Sequence, residues 1–213
     1  MKLAVTLACT TTLILCTGCG ANEKLDEMKQ HMDNVQNLAD NTNNADKLQQ
    51  QALERREERR KRGDTLAMPY QDLQKYLPAS VNGYTAAEPK GESFNMAGMS
   101  YSTAHREFTN EQGERVQVNL IDYNSAYSML TAATAFWQAG YSRETSAQIQ
   151  RTFDPGLGSG VGFEDYNKNS KSAKVTYVLG DRFLLTVEAD NAPGTDFVKD
   201  IAASMPLKEL TDK

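Results

Sequence analysis

Between Asn22 and Arg62 the chain contains neither glycine nor proline, whereas all six prolines and twelve of the fourteen glycines lie from Gly63 onward. Residues 22–62 are rich instead in Glu, Gln, Lys, Arg, Leu and Ala, which lose little side-chain freedom in a helix, so this stretch is expected to be helical. The turn formers beyond it call for a different architecture, and the rise in Tyr, Phe and Val after Gly63 supplies apolar residues for one. Residues 64–213 are long enough to close a single core.

Within the helical segment Leu25, Met28, Met32, Val35, Ala39 and Thr42 recur at steps of three and four, the spacing of a coiled-coil seam. The seam then falters. Leu53 keeps phase, but Asp46 and Gln49 occupy core positions, and Ala45, Leu48 and Ala52 open a shifted stripe. The run Asp40–Asn44 is made of poor helix formers and reads as a break. So short and polar a seam favours a tether over self-association, which stays the weaker reading; forty helical residues would reach about 60 Å.

Charge falls in blocks. Residues 20–53 hold three Lys and six Asp or Glu, residues 54–62 hold six Lys or Arg and three Glu, and residues 64–213 hold 13 basic and 19 acidic side chains. The cationic block Arg55–Arg62 suits lipid headgroups or an anionic glycan. A solvated helix end explains it more simply. Glu57–Lys61 and Glu58–Arg62 are i,i+4 pairs worth ~0.2–0.5 kcal/mol each, cations complement the C-terminal dipole, and Gly63 is placed to cap it.

All three cysteines, Cys9, Cys16 and Cys19, fall in the first 19 residues, which excludes a disulfide framework, a thiolate metal site and a cysteine nucleophile from the body. Met1-Lys2 precedes an apolar run, residues 3–15, too short for a ~30 Å hydrocarbon core but of the size of an export signal. The run ends in Leu15-Cys16-Thr17-Gly18-Cys19. This motif resembles the lipobox of bacterial lipoprotein precursors, in which small residues precede an acceptor cysteine; the resemblance covers residues 1–20. The chain departs from that family at Cys16, where leucine is usual. Taking Cys16 as acceptor would place bulky Leu15 before it, so Cys19, preceded by Gly18, is assigned.

The lipoprotein resemblance implies removal of residues 1–18, diacylglycerol on Cys19 and N-acylation by a palmitate-type chain, each buried CH₂ adding ~0.8 kcal/mol to anchoring. Gly20 rather than aspartate follows Cys19, which in the family's sorting scheme implies the outer membrane, facing the periplasm. Nucleic acid is not an expected partner of an exported chain.

In the body, Pro69–Leu77 is expected to be a short helix with Tyr70, Leu73, Tyr76 and Leu77 on one face, stopped by Pro78. A strand near Val81–Ala86 and a Pro-Lys-Gly turn at 89–91 follow. Residues 98–109 and Arg115–Tyr123 form a hairpin across Asn110–Glu114, with Val116, Val118 and Leu120 inward. Ser125–Ala139 reads as a helix ended by Gly140. Strands follow at Ser146–Phe153, Gly160–Tyr166, Ala173–Leu179 and Arg182–Ala189, the last two joined by a tight Gly180-Asp181 turn. A final helix spans Thr195–Met205, with Phe197, Ile201 and Ala202 inward. The expected fold is α+β: an antiparallel sheet of five to six strands packed on one face by two or three helices, preceded by the long N-terminal helix.

Candidate chemistry is sparse. Of two histidines, His31 lies on the stalk and His105 in a strand beside Ser102 and Thr103. A nucleophile–base pair there needs a carboxylate such as Asp122 to orient the imidazole, and no G-x-S-x-G elbow surrounds Ser102. Gly156–Gly162 lacks the Lys-Ser/Thr of a phosphate loop and precedes no helix, so it reads as a hairpin loop or bulged strand start. Glu164-Asp165 and Asp122 show no calcium-loop spacing. Lys213 ends the chain and carries little weight. No cofactor or metal is expected. The sequence thus predicts a lipid-anchored envelope lipoprotein with a non-catalytic periplasmic binding or structural domain, its expected partner an envelope protein or glycan; the alternative is an exported hydrolase using His105 with Ser102 or Asp122.

Overall fold

The computed structural model describes residues 50–96, 98–126, 129–130, 134, 137, 140–158, 160–211 and 213. The export signal, Cys19, His31 and the coiled-coil seam up to Gln49 lie outside the described residues.

Among the described residues nine strands form one antiparallel sheet: β1 (Thr85–Ala86), β2 (Lys90–Met96), β3 (Met99–Thr109), β4 (Arg115–Asp122), β5 (Ser142–Glu144), β6 (Gln148–Phe153), β7 (Val161–Asn167), β8 (Ser172–Leu179) and β9 (Phe183–Ala189). Their order is β1-β3-β4-β9-β8-β7-β6-β5, with β2 pairing β3 beside β1. The helices among the described residues are α1 (residues 50–61), α2 (Tyr70–Leu73, continued by a 3₁₀ turn to Tyr76), α3 (Asp196–Ala203) and α4 (Leu207–Thr211). Met129, Leu130, Thr134 and Trp137 are also helical. The α+β class holds, but the sheet is larger than the five to six strands expected.

The pleat sorts side chains between two faces. On the core face Ala104, Phe108, Val116, Val118, Leu120, Val175, Leu179, Phe183, Leu185 and Val187 are fully buried, under Leu73 of α2, Val198 and Ala202 of α3, and Leu210 of α4. The hairpin alternation is as read: Val116, Val118 and Leu120 point inward. Helices do not keep to this face, as the sequence reading had it. Trp137 stacks on Phe163 at 4.9 Å, while the adjacent Glu164 bonds to α3 on the other side. Phe163 and Glu164 are neighbours on β7, so the helical residues around Trp137 lie over the outer face at β7.

Two further expectations are corrected. Residues 89–91 do not form a turn, because Lys90 already opens β2. A Cβ at Gly91 would lie 2.5 Å from the Thr103 carbonyl oxygen and 2.8 Å from the Tyr70 ring, so glycine serves close approach between β2, β3 and α2. The final helix breaks at Pro206, which lacks an N–H to continue it, and α4 follows; within α3 Val198 is fully buried while Phe197 is only partly so.

Helix α1 ends in a Schellman turn, Gly63 N–H donating to Arg60 O and Asp64 N–H to Arg59 O, both at 3.0 Å. It lies against the body: Ala52 is buried, and Arg55 pairs with Asp181 in the β8–β9 turn, where Gly180 and Asp181 both have positive φ.

Candidate functional site

The pleat decides first which candidate residues meet. Ser102 pairs with Asp122 across β3 and β4, and both are fully buried on the core face. His105, three residues along β3, points to the outer face, where its cross-strand neighbours are Lys90 and Asn119. The structure therefore brings Ser102 and Asp122 together and leaves His105 apart from both. Ser102 Oγ bonds Ser93 Oγ at 2.8 Å instead.

Asp122 is the centre of a buried charge cluster at one end of the sheet. Its two oxygens accept from Arg182 Nε and Nη2, each at 2.8 Å, from Met68 N–H at 2.8 Å and from Asn124 N–H at 2.9 Å. Arg182 Nη1 reaches Asp64 at 2.7 Å, and its guanidinium lies 4.9 Å from the Phe183 ring centre. Asn124 Nδ2 ties Asp64 Oδ1 and Leu66 O, and Ala67 N–H donates to Ser100 Oγ. Burial alone would lower the affinity of Arg182 for its proton, but the Asp122 and Asp64 carboxylates outweigh it and raise the guanidinium above its ordinary value. The cluster thus staples the linker 64–68, and with it α1, to the ends of β4 and β9.

Arg59 of α1 sits over this cluster, 2% exposed, and its Nε and Nη2 find no acceptor among the described residues. Burial, then repulsion from Arg182, draw its proton affinity below the ordinary value. The cationic block is consequently divided. Arg55 and Arg59 are structural; Arg56, Arg60, Lys61 and Arg62 are exposed. The ion pair the described residues display on α1 is Glu57–Arg60 at 2.9 Å, an i,i+3 contact rather than the i,i+4 pairs expected.

Glu164 forms a second buried charge site on the core face, bonded by Arg151 of β6, Lys199 of α3 and Thr195 Oγ1 at 2.6 Å. Asp165 points the other way and accepts from Gln148 and Gln150 at 2.8 and 2.9 Å. Neither is arranged as a cation cage, and no group of three or more metal-ligating residues occurs among the described residues. The glycine run before β7 has a packing reason: a Cβ at Gly162 would meet the Phe153 ring at 2.5 Å, and Gly156 and Gly158 take positive φ in the loop.

What remains accessible is the outer face of β3, β4 and β9. His105, Asn119 and Thr186 form one cross-strand row there, with Thr103, Ile121 and Leu184 in the next; all are partly exposed. Toward the β2–β3 tip, Phe94 stacks on Tyr101 at 5.2 Å, and burial followed by the nearby Tyr101 raises the Tyr123 phenol above its ordinary value. Sequence reasoning named His105 for catalysis but missed this surface, whose signal is the polar half of the β3–β4 alternation. Comparisons with family models, curated proteins and solved structures return no match.

Proposed function

We propose that the protein is a bacterial lipoprotein held in the outer membrane by acyl chains on Cys19. Its sheet domain faces the periplasm and acts as a non-catalytic module that binds an envelope protein or glycan. The stalk read over residues 19–63 supplies the tether through the part that precedes α1, with weak self-association through the seam as its secondary property. The anchor rests on the Gly18-Cys19 motif after residues 3–15.

One observation carries the non-catalytic reading: Asp122 and Ser102 are committed to the core face, Asp122 by four donated bonds, while His105 stands on the opposite face. Around His105 the outer face carries Lys90 on β2, Glu107 two residues along β3, Asn119 on β4 and Thr186 on β9, a mixed polar and charged surface suited to contact. Cells fed an alkyne-tagged palmitate test the anchor. Cys19→Ser is expected to abolish acyl labelling and to release the protein from the membrane fraction; labelling that persists overturns the assignment. Capture from intact envelopes tests the domain. An envelope component retained by the native protein and lost with Asn119→Arg supports the outer face as the contact, and capture unchanged by that substitution refutes it.

A further inference from the structure

The exposed large apolar side chains among the described residues are Leu53, Leu66, Met96, Met99 and Met129. Three of them, Leu66, Met96 and Met99, lie at one end of the sheet. Met96 and Met99 flank Gly98 at the β2–β3 tip, and Gly98 and Leu66 line a cleft of about 240 Å³ together with Arg56, Arg60 and Asn124. At 100° per residue, Leu53, Arg56, Glu57 and Arg60 share one face of α1, while Glu54 and Glu58 lie a quarter-turn or more from Leu53 and both arginines. Arg60 is 71% exposed, and Glu57 is its i,i+3 partner. Asp64, which also borders the cleft, is held inward by Arg182 and Asn124.

From this arrangement we propose that the end of the sheet carrying Leu66, Met96 and Met99 is an interfacial docking surface for anionic lipid. The apolar side chains enter the headgroup boundary, and Arg56 and Arg60 meet lipid phosphates. Charge selects the occupant: guanidinium groups ringing apolar prongs match an anionic bilayer surface, where cations and apolar area both gain. The inference rests on the lipoprotein reading, because attachment through Cys19 holds the domain at the surface and lets a weak contact suffice. The tether then does not project the domain outward; it lets the domain lie down, with the outer face around His105 left accessible.

The test uses the full acylated protein carrying Met96→Cys, labelled with a nitroxide and reconstituted into vesicles of neutral phosphatidylcholine, with or without phosphatidylglycerol. Depth is read from the relative accessibility of the label to oxygen and to a water-soluble nickel chelate. We expect the label to move into the oxygen-accessible zone when phosphatidylglycerol is present, with accessibility to the chelate falling on the order of tenfold and returning at high salt. Arg56→Glu with Arg60→Glu should abolish the shift while circular dichroism shows the fold retained. Failure of acylation overturns the lipoprotein reading and the tether with it. An acylated protein whose label stays equally water-accessible in both vesicles overturns the docking surface alone, as does dipolar broadening between labels, which would assign the surface to a second copy.

Discussion

Asp122→Asn is the sharpest test of the charge cluster, because it keeps the shape of the side chain and changes only its charge and donor pattern. Asp122 has no exposed surface and each of its oxygens accepts two bonds, Oδ1 from Arg182 Nε and Asn124 N–H, Oδ2 from Arg182 Nη2 and Met68 N–H. An amide NH₂ in either place faces two donors. The change also leaves Arg182, 5% exposed, beside the buried Arg59 with Asp64 as its remaining carboxylate partner. Breaking a buried pair costs about 3–5 kcal/mol, a large part of the roughly 5–15 kcal/mol that holds an ordinary domain. Urea unfolding reports the loss through Trp137, the single tryptophan, whose ring stacks on Phe163. The double variant Asp122→Leu with Arg182→Met removes both charges and is expected to lose less than the sum of its single changes by at least ~1 kcal/mol. A loss below ~1 kcal/mol for Asp122→Asn at an unchanged denaturant slope, or strict additivity in the double variant, would refute the account of the cluster.

Arg59→Met is expected to be neutral or stabilising by ~1 kcal/mol, since it removes two unbonded N–H groups and the repulsion with Arg182; a clear fall in the urea midpoint counts against this. Burial alone would raise the Glu164 carboxyl, but bonds from Lys199, Thr195 and Arg151 outweigh it and hold the group below its ordinary value. A depressed folded value gives stability that is complete above the unfolded carboxylate range and lost as pH falls through the folded value. Urea midpoints should therefore drop on the acid side, less steeply in Glu164→Gln; parallel acid limbs would sink the assignment. Gly91→Ala should cost about 1–3 kcal/mol by forcing apart β2, β3 and α2, and an unchanged melting midpoint would show that the contact at 2.5 Å relaxes freely.

The fold was legible where burial imposes a period. Val116, Val118 and Leu120 alternate with polar residues, and that alone places β4 with one face in the core. Strand β2 carries no such record. Its core-face positions are Gly91, Ser93 and Asn95, because it packs against α2 through a missing Cβ and a Ser93–Tyr70 hydrogen bond rather than through apolar bulk. Strand β5 is exposed at every position, so no alternation exists to read. The helical stripe ending in Trp137 was visible, but the side of the sheet it covers depends on β7 parity, which a helix pattern does not contain.

Parts of the site were closer to the surface of the sequence than they appear. Residues three apart on a strand face opposite ways, so placing His105 and Ser102 on β3 already separates them. The division of the cationic block follows the same logic. The shifted stripe Ala45, Leu48, Ala52 proceeds by steps of three and four, and its next two members are Arg55 and Arg59. Ala52 and Arg59 are buried, and Arg55 is the residue that reaches Asp181. The helix phase thus marks which arginines are held against the body and which, Arg56 and Arg60, stay exposed. What the phase cannot supply is the partner set: Asp64 and Arg182 lie far apart in the chain and meet only because the linker after Gly63 folds back over the ends of β4 and β9. Length and helical spacing made residues 54–62 look like one solvated run. The packing divides it: Arg55 and Arg59 lock the helix to the domain, while Arg56, Arg60, Lys61 and Arg62 are exposed.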